Sequence, residues 1–149
     1  EGWALWDCCA NAAVSIVEDS ERGPVASVDF FGPAGTVSGL QANLPHDVSA
    51  LSSGTLEFDL KKTSESSDTD ALWLIKVEGQ DGSFAQYELN ASLEGQDAAL
   101  GTWQHFTFDL SMLQAGGLNL DKLKLILIFP EWQRAQGAAY QLDNVTINP

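Results

Sequence analysis

The sequence predicts an all-β domain, an antiparallel β-sandwich of two sheets, on three observations. Apolar residues recur with period two along most of the chain. Stretches with the three-or-four spacing of a helix are short, and turn residues interrupt the pattern at near-regular intervals. A length of 149 residues suits one domain with a core of its own, and no repeat, heptad or linker divides residues 1–149.

In chain order, 13–17, 25–31 and 37–43 read as short strands separated by Gly23-Pro24 and Gly32-Pro33-Ala34-Gly35 turns. Residues 47–51 suit a turn of helix capped by Asp47. The stretch 54–61 alternates cleanly, placing Leu56, Phe58 and Leu60 on a buried face and Glu57, Asp59 and Lys61 on a wet one. The polar run 64–70 predicts a mobile hairpin loop. Strand 73–78 sets Trp73, Ile75 and Val77 opposite Leu74, Lys76 and Glu78, and 84–89 repeats the pattern. Strand 103–110 turns Phe106, Phe108 and Leu110 inward, and 110–113 suits a second turn of helix. Residues 123–129 are apolar on both faces beyond Lys124, as in a central covered strand, and 139–147 is the last strand.

Charge restricts the partners. Against 21 acidic residues stand 7 basic ones, a formal charge of -14, whereas a phosphate backbone is bound by Lys and Arg. The charge therefore argues against nucleic acid and anionic membranes as partners, and no apolar run reaches the roughly 20 residues of a membrane span. A neutral ligand fits better. Carboxylates at this density also suit solubility in high salt.

Catalytic signatures are sparse. No Gly-x-Ser-x-Gly, P-loop or His-Glu-x-x-His motif is present. Glu57 with Glu78, or Asp59 with Glu88, could share a sheet face as a glycosidase pair, but acids alternating outward along strands are ordinarily a solvated face. A Cys8/His105 nucleophile pair would need a free thiol. The chain is read as a non-enzyme.

Cys8 and Cys9 are adjacent and are the only cysteines. Two readings stand: reduced cysteines, one of them in the core, or a vicinal disulfide closing a flat, rigid, apolar eight-membered ring. Zinc is unsupported, because His46 and His105 are too remote to complete a ligand set. Of five tryptophans, Trp73 and Trp103 are expected in the core. Trp3 and Trp6 precede the cysteines, and Trp132 sits in a loop at 130–137 with Gln133 and Arg134.

These residue types suit a sugar, whose C–H patch packs on an indole face while its hydroxyls pair with planar amides, guanidinium or carboxylates. The expected site has Cys8 and Cys9 as floor, Trp6 and Trp132 as walls, and Asn11, Gln133 and Arg134 as orienting groups. The plainer alternative is that Trp6 and Trp132 plug the sandwich ends. A second candidate is a sheet face carrying Glu57, Asp59, Lys76 and Glu78. Asp143, outward in the last strand, is either an exposed charge or a ligand to Ca²⁺.

The runs at 54–59, 101–107, 120–129 and 140–145 resemble the jelly-roll, galactose-binding-like carbohydrate-binding modules appended to bacterial polysaccharide hydrolases. Trp3-Ala4-Leu5-Trp6-Asp7-Cys8-Cys9 with Phe129-Pro130-Glu131-Trp132 is similar to the accessory domain of marine exo-β-1,3/1,4-glucanases and related laminarinases or agarases. The resemblance implies a noncatalytic jelly-roll module that binds a neutral polysaccharide, foremost a β-1,3- or mixed-linked glucan, and keeps an attached glycoside hydrolase near it; a monomer is expected. An agarose or galactan binder, or a purely structural domain packed on a catalytic partner, are the alternatives. It also implies an extracellular or periplasmic location, where close thiols oxidise, and a structural calcium using Asp143. One departure is Ala10-Asn11-Ala12, where the family often has glycines after the paired cysteines.

Overall fold

The computed structural model of the protein describes residues 2–32 and 37–149. Among the described residues, ten strands form two five-stranded antiparallel sheets. The first sheet consists of β1 (Trp3–Asp7), β4 (Ser38–His46), β9 (Leu123–Pro130), β6 (Trp73–Gly79) and β7 (Phe84–Glu88), in that order. The second orders β2 (Ala12–Asp19), β3 (Gly23–Phe30), β10 (Ala139–Asn148), β5 (Thr55–Ser64) and β8 (Gln104–Asp109). The chain crosses repeatedly between sheets, so that most sheet neighbours are remote in sequence. This is the winding of a jelly roll.

The period-two pattern decides which side chains meet between the sheets. Leu56, Phe58 and Leu60 of β5 lie beside Phe106 and Phe108 of β8, with the Phe58 and Phe106 rings stacked at 5.5 Å. Ile75, Val77, Ile126 and Ile128 of the first sheet complete the same core. Each large side chain buried there contributes about 2 kcal/mol. Trp73 is buried as expected and meets Tyr140 edge-on at 5.9 Å. The Tyr140 hydroxyl, fully enclosed, donates to the Ser38 carbonyl at 3.2 Å, and burial pushes its pKa up.

Several expectations change. The segment Trp3–Asp7, for which no strand is evident from the sequence, pairs with β4 as an edge strand. Gly23 and Pro24 open β3 instead of lying between strands, with Gly23 at φ 76° completing the turn after β2. The Gly32-Pro33-Ala34-Gly35 turn lies, from Pro33 on, outside the described residues. Asp47 accepts from the Ser49 N–H at 3.0 Å ahead of a single 3-10 turn, Ser49–Leu51. The second helical turn is α1 (Leu110–Ala115), which buries Leu110 and Leu113.

The run 64–70 is tied to the loop after β9. The Ser66 hydroxyl donates to the Arg134 carbonyl, the Ser67 N–H to the Gln136 carbonyl at 2.8 Å, and the Ser64 hydroxyl to the Gly137 carbonyl at 2.7 Å. Polar composition predicted solvation, whereas these serines satisfy a neighbouring loop's carbonyls.

Candidate functional site

Strand register defines the outward face of the first sheet. Trp6, Gly39, Leu127, Lys76 and Gln86 form one row across it, and Ala4, Gln41, Leu125, Glu78 and Phe84 form the next. Gly39 is required where it stands, because a Cβ there would run into the Ile126 carbonyl oxygen. Gly39 and Leu127 are both buried, so this part of the face is covered by its neighbours. Just past β1, the Cys8 N–H donates to the Val37 carbonyl at 3.2 Å, continuing the ladder beside the row that pairs Phe129 with Leu74.

Cys8 and Cys9 are bonded to each other as a vicinal disulfide. Cys9 is exposed and Cys8 half-buried, and both Cys8 and Trp6 pack against the apolar cluster that includes Leu127 and Phe129. The next residue, Ala10, takes φ 55°, a left-handed conformation that glycine adopts without strain and alanine at a cost of roughly 1 kcal/mol. Asn11 braces the ring, its side-chain amide donating to the Cys9 carbonyl at 3.2 Å.

Trp132 approaches the same end of the face from the loop after β9. It is 51% exposed and stands edge-on to Phe129, centroids 6.1 Å apart. Two strand spacings, about 10 Å, separate the β1 and β9 positions of this row. Gln133 is exposed with φ 66°. Arg134 is held by two carboxylates, Asp68 at 2.9 Å and Glu131 at 3.0 Å. Glu131 in turn accepts the Leu72 N–H at 2.7 Å. The Arg134 guanidinium thus fixes the loop on which Trp132 is displayed.

Sequence reasoning missed Phe84. It lies on the same outward face at the far edge strand, 48% exposed, with the Lys76 ammonium 4.6 Å from its ring and Glu78 3.6 Å from Lys76. Its alternation in β7 was legible, but neighbouring Trp6 across four strands depends on the sheet order.

The second candidate face does not exist as one surface. Glu57 and Asp59 lie on β5 of the second sheet, whereas Lys76 and Glu78 lie on β6 of the first, and both pairs point outward. The same division separates Glu57 from Glu78 and Asp59 from Glu88, so neither can act as a glycosidase pair. His105 is on the second sheet and Cys8 is in a disulfide, which dissolves the nucleophile pair as well.

On the second sheet's outward face the charges are mutually satisfied. Arg22 pairs with Asp59, reaches Asp143 at 3.5 Å, and lies 4.4 Å from the Trp103 ring centroid. Trp103 is therefore half-buried on the outer surface and not beneath a loop in the core. Its indole N–H donates to Asp19 at 3.3 Å, and Asp19 also pairs with Lys61. The Lys61 bond, aided by the Glu21 N–H and Trp103 against the opposing effect of burial, holds Asp19 down to about 2. His105 sits 2.7 Å from Asp59 and 3.3 Å from Glu57. The Asp59 bond raises its pKa.

Asp143 shares this network. The positive charge beside it is Arg22, and no group of three His, Cys, Asp or Glu suited to a metal occurs among the described residues. A calcium ion needs six or more oxygens, and the donors gathered around Asp143 do not fit one. No helix among the described residues is long and apolar enough to cross a membrane.

No protein-family model matches the sequence, and no curated protein does. Solved structures do match. The family 30 carbohydrate-binding module of the cellulosomal cellulase Cel9D-Cel44B of Clostridium thermocellum superposes with a TM-score of 0.72 at 14% identity, covering 99% of this chain and 91% of that one. A family 11 carbohydrate-binding module from Clostridium thermocellum, in complex with a β-1,3-1,4-mixed-linked tetrasaccharide, gives 0.60 at 14% identity over 98% and 88%. An exo-β-agarase gives 0.68 at 16% identity over 99% of this chain but 23% of its own. The chain has the jelly-roll β-sandwich fold of these carbohydrate-binding modules, a fold that also makes up about a quarter of the agarase.

Proposed function

We propose that the protein is a noncatalytic module that binds a neutral polysaccharide on the outward face of the first sheet. The reading is supported by strand register, which sets Trp6 of β1, the Cys8–Cys9 ring just past it and Trp132 of the loop after β9 toward one end of that face. These segments are remote in sequence, and among the described residues neither indole N–H has a hydrogen-bond partner. Flat apolar surfaces so arranged stack on pyranose C–H patches, and Asn11, Gln133 and Arg134 lie beside them for the hydroxyls.

The ligand is foremost a β-1,3- or mixed-linked glucan, a choice supported by the mixed-linked tetrasaccharide in the family 11 complex. The agarase likeness supports agarose as the second reading, and also an attached glycoside hydrolase. An oxidising, extracellular or periplasmic setting suits the disulfide. A few stacked rings and exposed hydrogen bonds give modest affinity, on the order of -4 to -8 kcal/mol, with retention on insoluble polymer coming from multivalency.

Affinity electrophoresis through gels containing laminarin, lichenan, agarose or no polymer tests this, beside Trp132→Ala and a Cys8→Ser/Cys9→Ser double variant. Retardation by one polymer, lost in both folded variants, is expected. Free migration in every gel overturns it in favour of a structural domain packed on a partner.

A further inference from the structure

A cavity of about 240 Å³ opens next to the Trp132 loop, lined among others by Lys62, Thr69, Asp70, Leu72, Trp73 and Asp97. Its place follows from the fold: Lys62 is near the end of β5, Trp73 begins β6, and Leu72 exchanges two hydrogen bonds with Glu131, the neighbour of Trp132. Lys62 is 7% exposed, bonded to Glu65 at 2.9 Å, and its ammonium lies 5.7 Å from the Trp73 ring centroid. That ammonium has three N–H groups, more than the Glu65 carboxylate absorbs. Asp70 and Asp97 are exposed acceptors around it.

We propose that this cavity takes the terminal hexopyranose of the bound glycan, making the protein a reader of chain ends. The inference rests on the polysaccharide reading above and extends that site from a face to a cavity beside the Trp132 loop. The volume suits a single pyranose. Lys62 donates to an acceptor hydroxyl, Asp70 and Asp97 accept hydroxyl protons, and Trp73 and Leu72 offer apolar contact to the C–H groups. The chemistry selects a neutral sugar. Glu65 already neutralises Lys62, and the carboxylates of Asp70 and Asp97 repel a uronate or sulfate.

The test uses isothermal titration of the protein with laminarin, lichenan and agarose, each before and after partial hydrolysis to many more chains at equal total mass. The expected result, for the polymer that binds, is that sites per gram rise in proportion to chain number. Asp70→Asn/Asp97→Asn, with thermal unfolding unchanged, should weaken binding at least about tenfold. Sites per gram that stay constant while binding persists, or a double variant that binds as the wild type does, overturn the terminal pocket and leave face binding intact. No binding to any preparation overturns both.

Discussion

The two outward faces of this sandwich carry the same kinds of residue and engage them differently. On the second sheet Trp103 is enclosed by Arg22 and Lys61, and its N–H is taken by Asp19. Asp59 is shared among Arg22, His105 and Asn144. On the first sheet Trp6, Trp132 and Phe84 lie on or beside the outward face, and among the described residues only Lys76, of the basic side chains, stands over one of these rings, at Phe84. An indole whose face and N–H are both engaged within the protein is a structural group, whereas one with both free can receive a ligand.

Exchanging the two tryptophans for alanine gives the sharpest separation. Trp132→Ala should cost about 2 kcal/mol of glycan binding, roughly 30-fold, with thermal unfolding nearly unchanged. Trp103→Ala should lower Tm by several degrees and leave binding unaltered. The reverse pattern would break the comparison. Next in size is Arg22→Met, which leaves Asp59 and Asp143 facing each other without their shared cation. A loss of about 1–2 kcal/mol in denaturant unfolding is expected, with binding intact.

Phe84→Ala measures how far the binding face extends. A loss of about 0.5–1 kcal/mol in polymer binding, a few-fold in affinity, would show the chain reaching the far edge strand, whereas no change would confine it to the Trp132 end. The smallest effect concerns pH. His105 has a folded pKa raised above 6.5, first through its bond to Asp59. Its stabilisation is therefore complete below about 6.5 and lost as pH rises through the elevated value. Because the ring is half exposed, Tm should fall between about pH 6 and about pH 9 by the equivalent of less than about 1 kcal/mol. His105→Gln should abolish that slope while binding stays flat with pH.

How much of this was legible in the sequence follows from what each feature depends on. Period-two alternation at Leu56, Phe58 and Leu60 fixes which side of a strand is wet, so the sandwich and most strands could be read directly. Alternation does not say which sheet a strand joins. Glu57 and Glu78 therefore looked like companions although the crossover from β5 to β6 puts them on opposite surfaces. Cys8, Cys9 and Trp132 stand out in the sequence because each is chemically unusual where it stands. Trp103 was misplaced because its cover is Arg22, 81 residues earlier, and no local pattern announces such a contact. Phe84 was missed for the converse reason: its local role as a strand residue is ordinary, and only the order β1-β4-β9-β6-β7 makes it the far end of the Trp6 face.

The central claim is that the face bearing Trp6 and Trp132 meets the glycan and the face bearing Trp103 does not. Two-dimensional NMR resolves the indole N–H signals of all five tryptophans during titration with a mixed-linked glucan oligosaccharide. Saturable shifts of Trp6 and Trp132, with Trp103 unmoved, are the predicted result. Shifts confined to Trp103, or no shift in any of the five at saturating oligosaccharide, would contradict it.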